Sequence, residues 1–136
     1  MRALTIPFLG ATALVTALAL SGCVANATAE APATLTVDTS ATACTVSAAT
    51  APAGSISFTV TNSGQQVSEF YLLAEDGRRV VGEAENIGPG LSRDLVVELP
   101  AGSYFTACKP GATGDGVGTA DFTVTPTDAA AVTTAP

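Results

Sequence analysis

The chain has 136 residues, room for one domain, with 5 basic and 12 acidic residues, no His and no Trp. An acidic chain of this kind is a poor match for nucleic acid, whose phosphates need Lys and Arg, and for an anionic lipid surface. It suits a cationic partner, metal ions included, and no nucleic-acid partner is expected.

The first segment reads as an export signal. Arg2 is a short positive region, Phe8–Leu20 is an apolar run, and Leu20-Ser21-Gly22-Cys23 closes it with small residues and a Cys. This is the form of a bacterial lipobox. The expectation is a lipoprotein signal peptide over residues 1–22, removed so that Cys23 becomes the lipidated N-terminus. An uncleaved span fits less well, because a membrane helix needs about 20 predominantly apolar residues. Acyl chains on Cys23 would hold the protein on the extracytoplasmic side of the cell membrane, the periplasm in an organism that has one. Losing residues 1–22 removes Arg2 and no acid, so 4 basic and 12 acidic residues remain, a net charge of −8.

Residues 23–33 are small and Pro-bearing, and read as a flexible linker behind the lipid. Strand signals follow. Residues 34–38 alternate Leu35 and Val37 against Thr, and 55–62 alternate Ile56, Phe58 and Val60 after a Pro-Ala-Gly turn. Residues 41–50 carry only a weak signal. Residues 67–74 form a strand apolar on both faces. An Asp-Gly hairpin signal at 75–79 leads into a short strand and a long turn through Ile87-Gly88-Pro89-Gly90. Residues 91–99, 103–108 and 118–125 complete the set. No helical period appears between the tethers. Seven or eight short strands, with turn signals every 8–12 residues, imply an all-β antiparallel sandwich over residues 34–125. The expected core is Leu35, Val37, Ile56, Phe58, Val60, Leu95, Val97, Phe122 and Val124. Residues 126–136 have no apolar period and are expected to be disordered.

Cysteine arithmetic is informative. Setting Cys23 aside leaves Cys44 and Cys108, and outside the cytoplasm an even pair oxidises to a disulfide by default. Closing a loop of 64 positions would stabilise a small domain by about 4 kcal/mol in the chain-entropy model. The same pair could instead supply two thiolate ligands for a soft or borderline metal. Glu69 lies inside an apolar strand, where a buried unpaired carboxylate is costly, so it faces solvent or is held by a cation. Glu83 and Glu85 share one face of an extended segment, as a solvated edge or as further ligands. The other acids, Asp38, Glu75, Asp76, Asp94, Glu98, Asp115 and Asp121, read as surface.

The missing residue types matter as much. Without His, and with Met1 the single Met, the chain cannot build a blue-copper centre of two His, a Cys and an axial Met. Cys₂His₂ zinc is excluded for the same reason, as is a Ser-His-Asp triad. The Gly-rich stretch 109–118 lacks the Gly-Lys-Ser/Thr of a phosphate loop. The residues describe a binding protein and no enzyme.

The run Thr42-Ala43-Cys44, the strand Phe58–Asn62, Ser68–Leu73, and Val80–Ser92 with Glu-Asn-Ile-Gly-Pro-Gly-Leu-Ser, followed by Gly102-Ser103-Tyr104 and Cys108, resembles the cupredoxin-like domain of the EfeO family of bacterial iron-uptake proteins. That resemblance covers about residues 34–125. It lacks the imelysin-type, peptidase-M75-like domain that often follows. It implies a cupredoxin-type Greek-key sandwich and a site for copper or iron drawn from Cys44, Glu69, Glu83, Glu85 and Cys108. It also implies other iron-uptake proteins as partners. Two positions depart from the family pattern. Thr45 stands where an acidic residue commonly follows the first Cys, and Thr106 or Ala107 where a Met can precede the last. The alternative is a disulfide-stabilised, Ig-like interaction module that binds no metal.

Overall fold

The computed structural model describes residues 31–127. The expected signal peptide, Cys23 with most of the expected linker, and the last nine residues lie outside the described residues.

Among the described residues, nine strands form two stacked sheets. They are β1 (Ala33–Thr39), β2 (Cys44–Val46), β3 (Thr50–Pro52), β4 (Gly54–Asn62), β5 (Ser68–Leu73), β6 (Val80–Ile87), β7 (Ser92–Leu99), β8 (Gly102–Pro110) and β9 (Val117–Thr125). One sheet has the order β2-β1-β4-β7 and the other β3-β9-β8-β5-β6. The sandwich is therefore all-β, as the alternation implied. Two ladders, β1 with β4 and β3 with β9, are parallel, and the others are antiparallel.

Period-2 patterning fixes which side chains fill the space between the sheets. Leu35 and Val37 of β1, Ile56, Phe58 and Val60 of β4, and Phe122 and Val124 of β9 are buried. Leu95 and Val97 of β7 are half-buried and pack against this cluster. The second sheet adds Phe70 and Leu72, which the two-faced apolar run of β5 hid, with Ala84, Ile87 and Tyr104. Phe58 anchors the centre, with ring centroids 5.4 Å from Phe70 and 5.6 Å from Phe122. Offset and edge contacts of this kind add roughly 0.5–1.5 kcal/mol beyond burial.

Asn62 closes one end of the sandwich. Its side chain is 1% exposed and its amide donates to the carbonyls of Ile87 and Gln66, both at 2.7 Å. Its own oxygen accepts from Gly64 N–H at 2.9 Å. Its backbone exchanges bonds with Leu91 and Gly90. The Ile87–Leu91 turn is thus held by one residue from the other sheet. At the same end, the Thr39 and Ser68 hydroxyls share a buried 2.6 Å hydrogen bond between the sheets. The opposite end holds both ends of the described chain, where Ala31 and Thr127 line one cavity with Gly54 and Glu98.

Candidate cation site and disulfide

Cys44 is the first residue of β2 and Cys108 lies near the end of β8. Their sulfurs are bonded at 2.07 Å, with Cα atoms 5.4 Å apart. The disulfide expected from the even Cys pair is therefore present. It fastens a three-residue edge strand to the facing sheet. Gly118 makes room for it. This residue has φ +62°, and a Cβ there would stand 2.7 Å from both the Cβ and the backbone nitrogen of Cys44. Cys108 is fully buried in the core, while Cys44 is half-buried.

The carboxylates sit elsewhere. In the β5–β8 ladder Glu69 pairs with Lys109. Strand alternation therefore points Glu69, Tyr71 and Lys109 to the outer face of that sheet, and Cys108 to the inner face. Glu83 stands opposite Tyr71 on β6. The register shifts between Ser68–Ile87 and Phe70–Ala84, so Glu69 faces two residues, Glu85 and Asn86, across a bulge. Asn86 takes φ 55° there, a conformation Asn tolerates better than most residues. Glu83 and Glu85 are exposed, whereas Glu69 is 9% exposed.

Tyr71 joins these groups. Its hydroxyl donates to Glu69 Oε2 at 2.5 Å, and Lys109 Nζ lies 4.7 Å from the centroid of its ring. The phenol is pushed well above the usual tyrosine range. The hydrogen bond to Glu69 is the largest cause, followed by burial and then the negative charges of Glu69, Glu83 and Glu85. The register thus puts Glu69, Glu83 and Glu85 on the same side of the β5–β6 pair as Tyr71, with Glu69 alone in contact with the phenol.

The five residues singled out in the sequence thus fall into two groups. Cys44 and Cys108 are joined to each other on the inner side. Glu69, Glu83 and Glu85 gather about Tyr71 on the outer side. The sheet separates the sulfurs from the carboxylates, so the structure does not bring all five to one centre. Among the described residues, no three His, Cys, Asp or Glu side chains lie close enough together to hold a metal ion. Tyr71 and Lys109 escaped the sequence reading. The signal for Tyr71 was its place two residues after Glu69 on one strand face. For Lys109 it was the residue following Cys108, hence the opposite face.

A model of the cupredoxin-like domain family matches residues 10–117. Among curated proteins, no relative matches the chain. The fold is similar to that of auracyanin from the photosynthetic bacterium Roseiflexus castenholzii, solved after reduction with Na-dithionite. The TM-score is 0.56 at 20% identity, over 71% of this chain and 100% of that one. It is also similar to an azurin (Az-iso2) from the obligate methylotroph Methylomonas sp. strain J, with a TM-score of 0.51 at 13% identity, over 72% and 100% of the two chains. At these identities the likeness concerns the fold. With four-fifths of its length matched by the family model, the chain belongs to the cupredoxin-like domain family.

Proposed function

We propose that this is an extracytoplasmic, lipid-anchored cupredoxin-like protein that binds metal cations as an accessory to an EfeO-type iron-uptake system. The observation that carries the reading is the register that puts Glu69, Tyr71 and Glu83, with Glu85 two residues further on, on one face of the β5–β6 pair. Three negative charges on one small face attract a cation. Glu83 and Glu85 are exposed on an edge strand, so closing on an ion costs mainly rotamer entropy. Glu69, fixed by Tyr71, is the preset member of the set.

The donor types decide which metal fits. A blue-copper centre needs two His and a free Cys thiolate. The chain has no His, and Cys44 and Cys108 are bonded to each other, so a centre of that type does not fit these residues. Carboxylate oxygens are hard donors, which favours iron over copper while the disulfide is intact. Reduction would free two thiols on the inner side, a separate soft pair that suits copper, with affinity rising with pH because thiols must lose protons to coordinate.

A second reading has its own support. The closed disulfide, together with a Glu69 already satisfied by Tyr71, favours an interaction module without metal. Titration calorimetry separates the two. Ferric citrate and cupric ion are titrated into the wild type, with and without reductant, and into Glu69→Gln and Cys108→Ser. Ferric binding by the oxidised wild type that weakens about ten-fold or more in Glu69→Gln supports the outer-face site. Equal heats in all proteins, or none, leave the interaction module.

A further inference from the structure

We propose that Cys44 is a thiol-exchange site, the one sulfur at which the Cys44–Cys108 disulfide can be opened in the folded protein, and that it takes small cationic or neutral thiols. The two sulfurs are not equivalent. Cys108 is 0% exposed within the core, enclosed by the strands on either side of β8. Cys44 begins the edge strand β2, is half-buried, and lines a surface cavity of about 80 Å³ with Val46, Thr106, Ala120, Asp121 and Phe122. Cys44 is thus the half of the disulfide nearer solvent, while strands β5 and β9 flank Cys108 on both sides.

The chemistry follows from that asymmetry. A thiolate RS⁻ attacks Cys44 Sγ, forming a Cys44–S–S–R bond while the Cys44–Cys108 bond breaks. The Cys108 sulfur leaves as a thiolate and takes up a proton. A second RS⁻ attacks the R-side sulfur of the mixed disulfide, releases Cys44 as a thiolate and forms RSSR. Two thiols supply the two electrons that reduce the protein disulfide. The departing sulfur starts in apolar surroundings, so exchange runs slower than for a small-molecule disulfide.

Charge selects the reagent. Asp121 borders this cavity, but its place beside the buried Phe122 and opposite Phe105 turns its side chain to the outer face. No basic residue lines the cavity. The chain's strongly negative net charge repels an anionic thiol and attracts a cationic one.

The inference is independent of the cation reading, because it concerns the inner face of the sheet. The folded protein is exposed to cysteamine or to 3-mercaptopropionate, quenched by alkylation and mapped by peptide mass spectrometry. The mixed disulfide is expected on Cys44 and the alkyl group on Cys108, with at least ten-fold selectivity. Cysteamine is expected to react several-fold faster, by a margin that shrinks in high salt. The same reaction in denaturant should mark both sulfurs alike. Adducts on Cys108 in the folded protein, equal marking of both, or no adduct at all would overturn the proposal.

Discussion

Phe70 stands directly opposite Cys108 in the β5–β8 ladder, and both side chains are fully buried. Side chains alternate along a strand, so this one pairing sends the neighbours Glu69 and Lys109 outward together. A slip of one residue would exchange the faces, placing Glu69 in the core and the disulfide sulfur outside. The register that protects the disulfide is therefore also what assembles the carboxylate face.

Tyr71 gives this face a pH signature. Its phenol is raised above the usual tyrosine value of about 10. The folded protein then holds a proton that the unfolded chain releases, so stability is fully present below about pH 10 and falls as pH rises from there towards the folded value. Phenolate absorbance should show one of the two tyrosines ionising late. In Tyr71→Phe the late step should vanish, along with its share of the alkaline loss of stability. A normal titration of Tyr71 would mean that the hydrogen bond to Glu69 does not form in solution.

Asn62 is the second test. Asn62→Ala removes two donors and one acceptor from a buried site and leaves the Ile87 and Gln66 carbonyls unpaired. A loss of about 2–4 kcal/mol is expected in urea denaturation. Because Asn62 secures the turn after β6, amide exchange should accelerate first around Gly88–Leu91.

Gly118 and Gly90 form a matched pair, since both have positive φ, at +62° and +73°. A Cβ at Gly90 meets nothing within 4 Å, whereas at Gly118 it meets Cys44 backbone and side chain at 2.7 Å. Gly90→Ala should cost about 1 kcal/mol from conformation alone. Gly118→Ala should cost at least about 2 kcal/mol more and slow reoxidation of the disulfide. Equal costs in thermal denaturation would show that β2 does not need this close approach.

The anchor is tested at Cys23. Mass spectrometry of membrane-extracted protein should find a mature N-terminus at Cys23 carrying acyl chains. Cys23→Ala should leave the membrane fraction. A mature chain beginning at another residue without lipid would remove the anchor from the functional proposal.

Much of the sandwich was legible because β1, β4, β7 and β9 alternate along most of their length, and alternation is a local property. Strands β2 and β3 were not, since three residues carry no period and each exists only through a distant partner. Strand β6 was partly hidden because an edge strand with Glu83 and Glu85 facing water resembles a turn. The Cys44–Cys108 partnership could be read from the even pair left once Cys23 is set aside. The face occupied by Glu69 could not. The strand Ser68–Leu73 is apolar on both sides, and only its register against β8 settles which side is inward.

Ala31 and Thr127 border the same cavity, so the described chain enters and leaves the sandwich at one pole. Asn62, the disulfide and the Glu69 end of β5 lie towards the other. In architectural terms the domain is a plug-in unit. Chain can be added at either end, or the two ends joined and new ones cut in an exposed turn such as Glu75–Arg78, without any strand having to change partners. A longer protein could carry this sandwich as an insert on a single stalk, with its carboxylate face and disulfide left free.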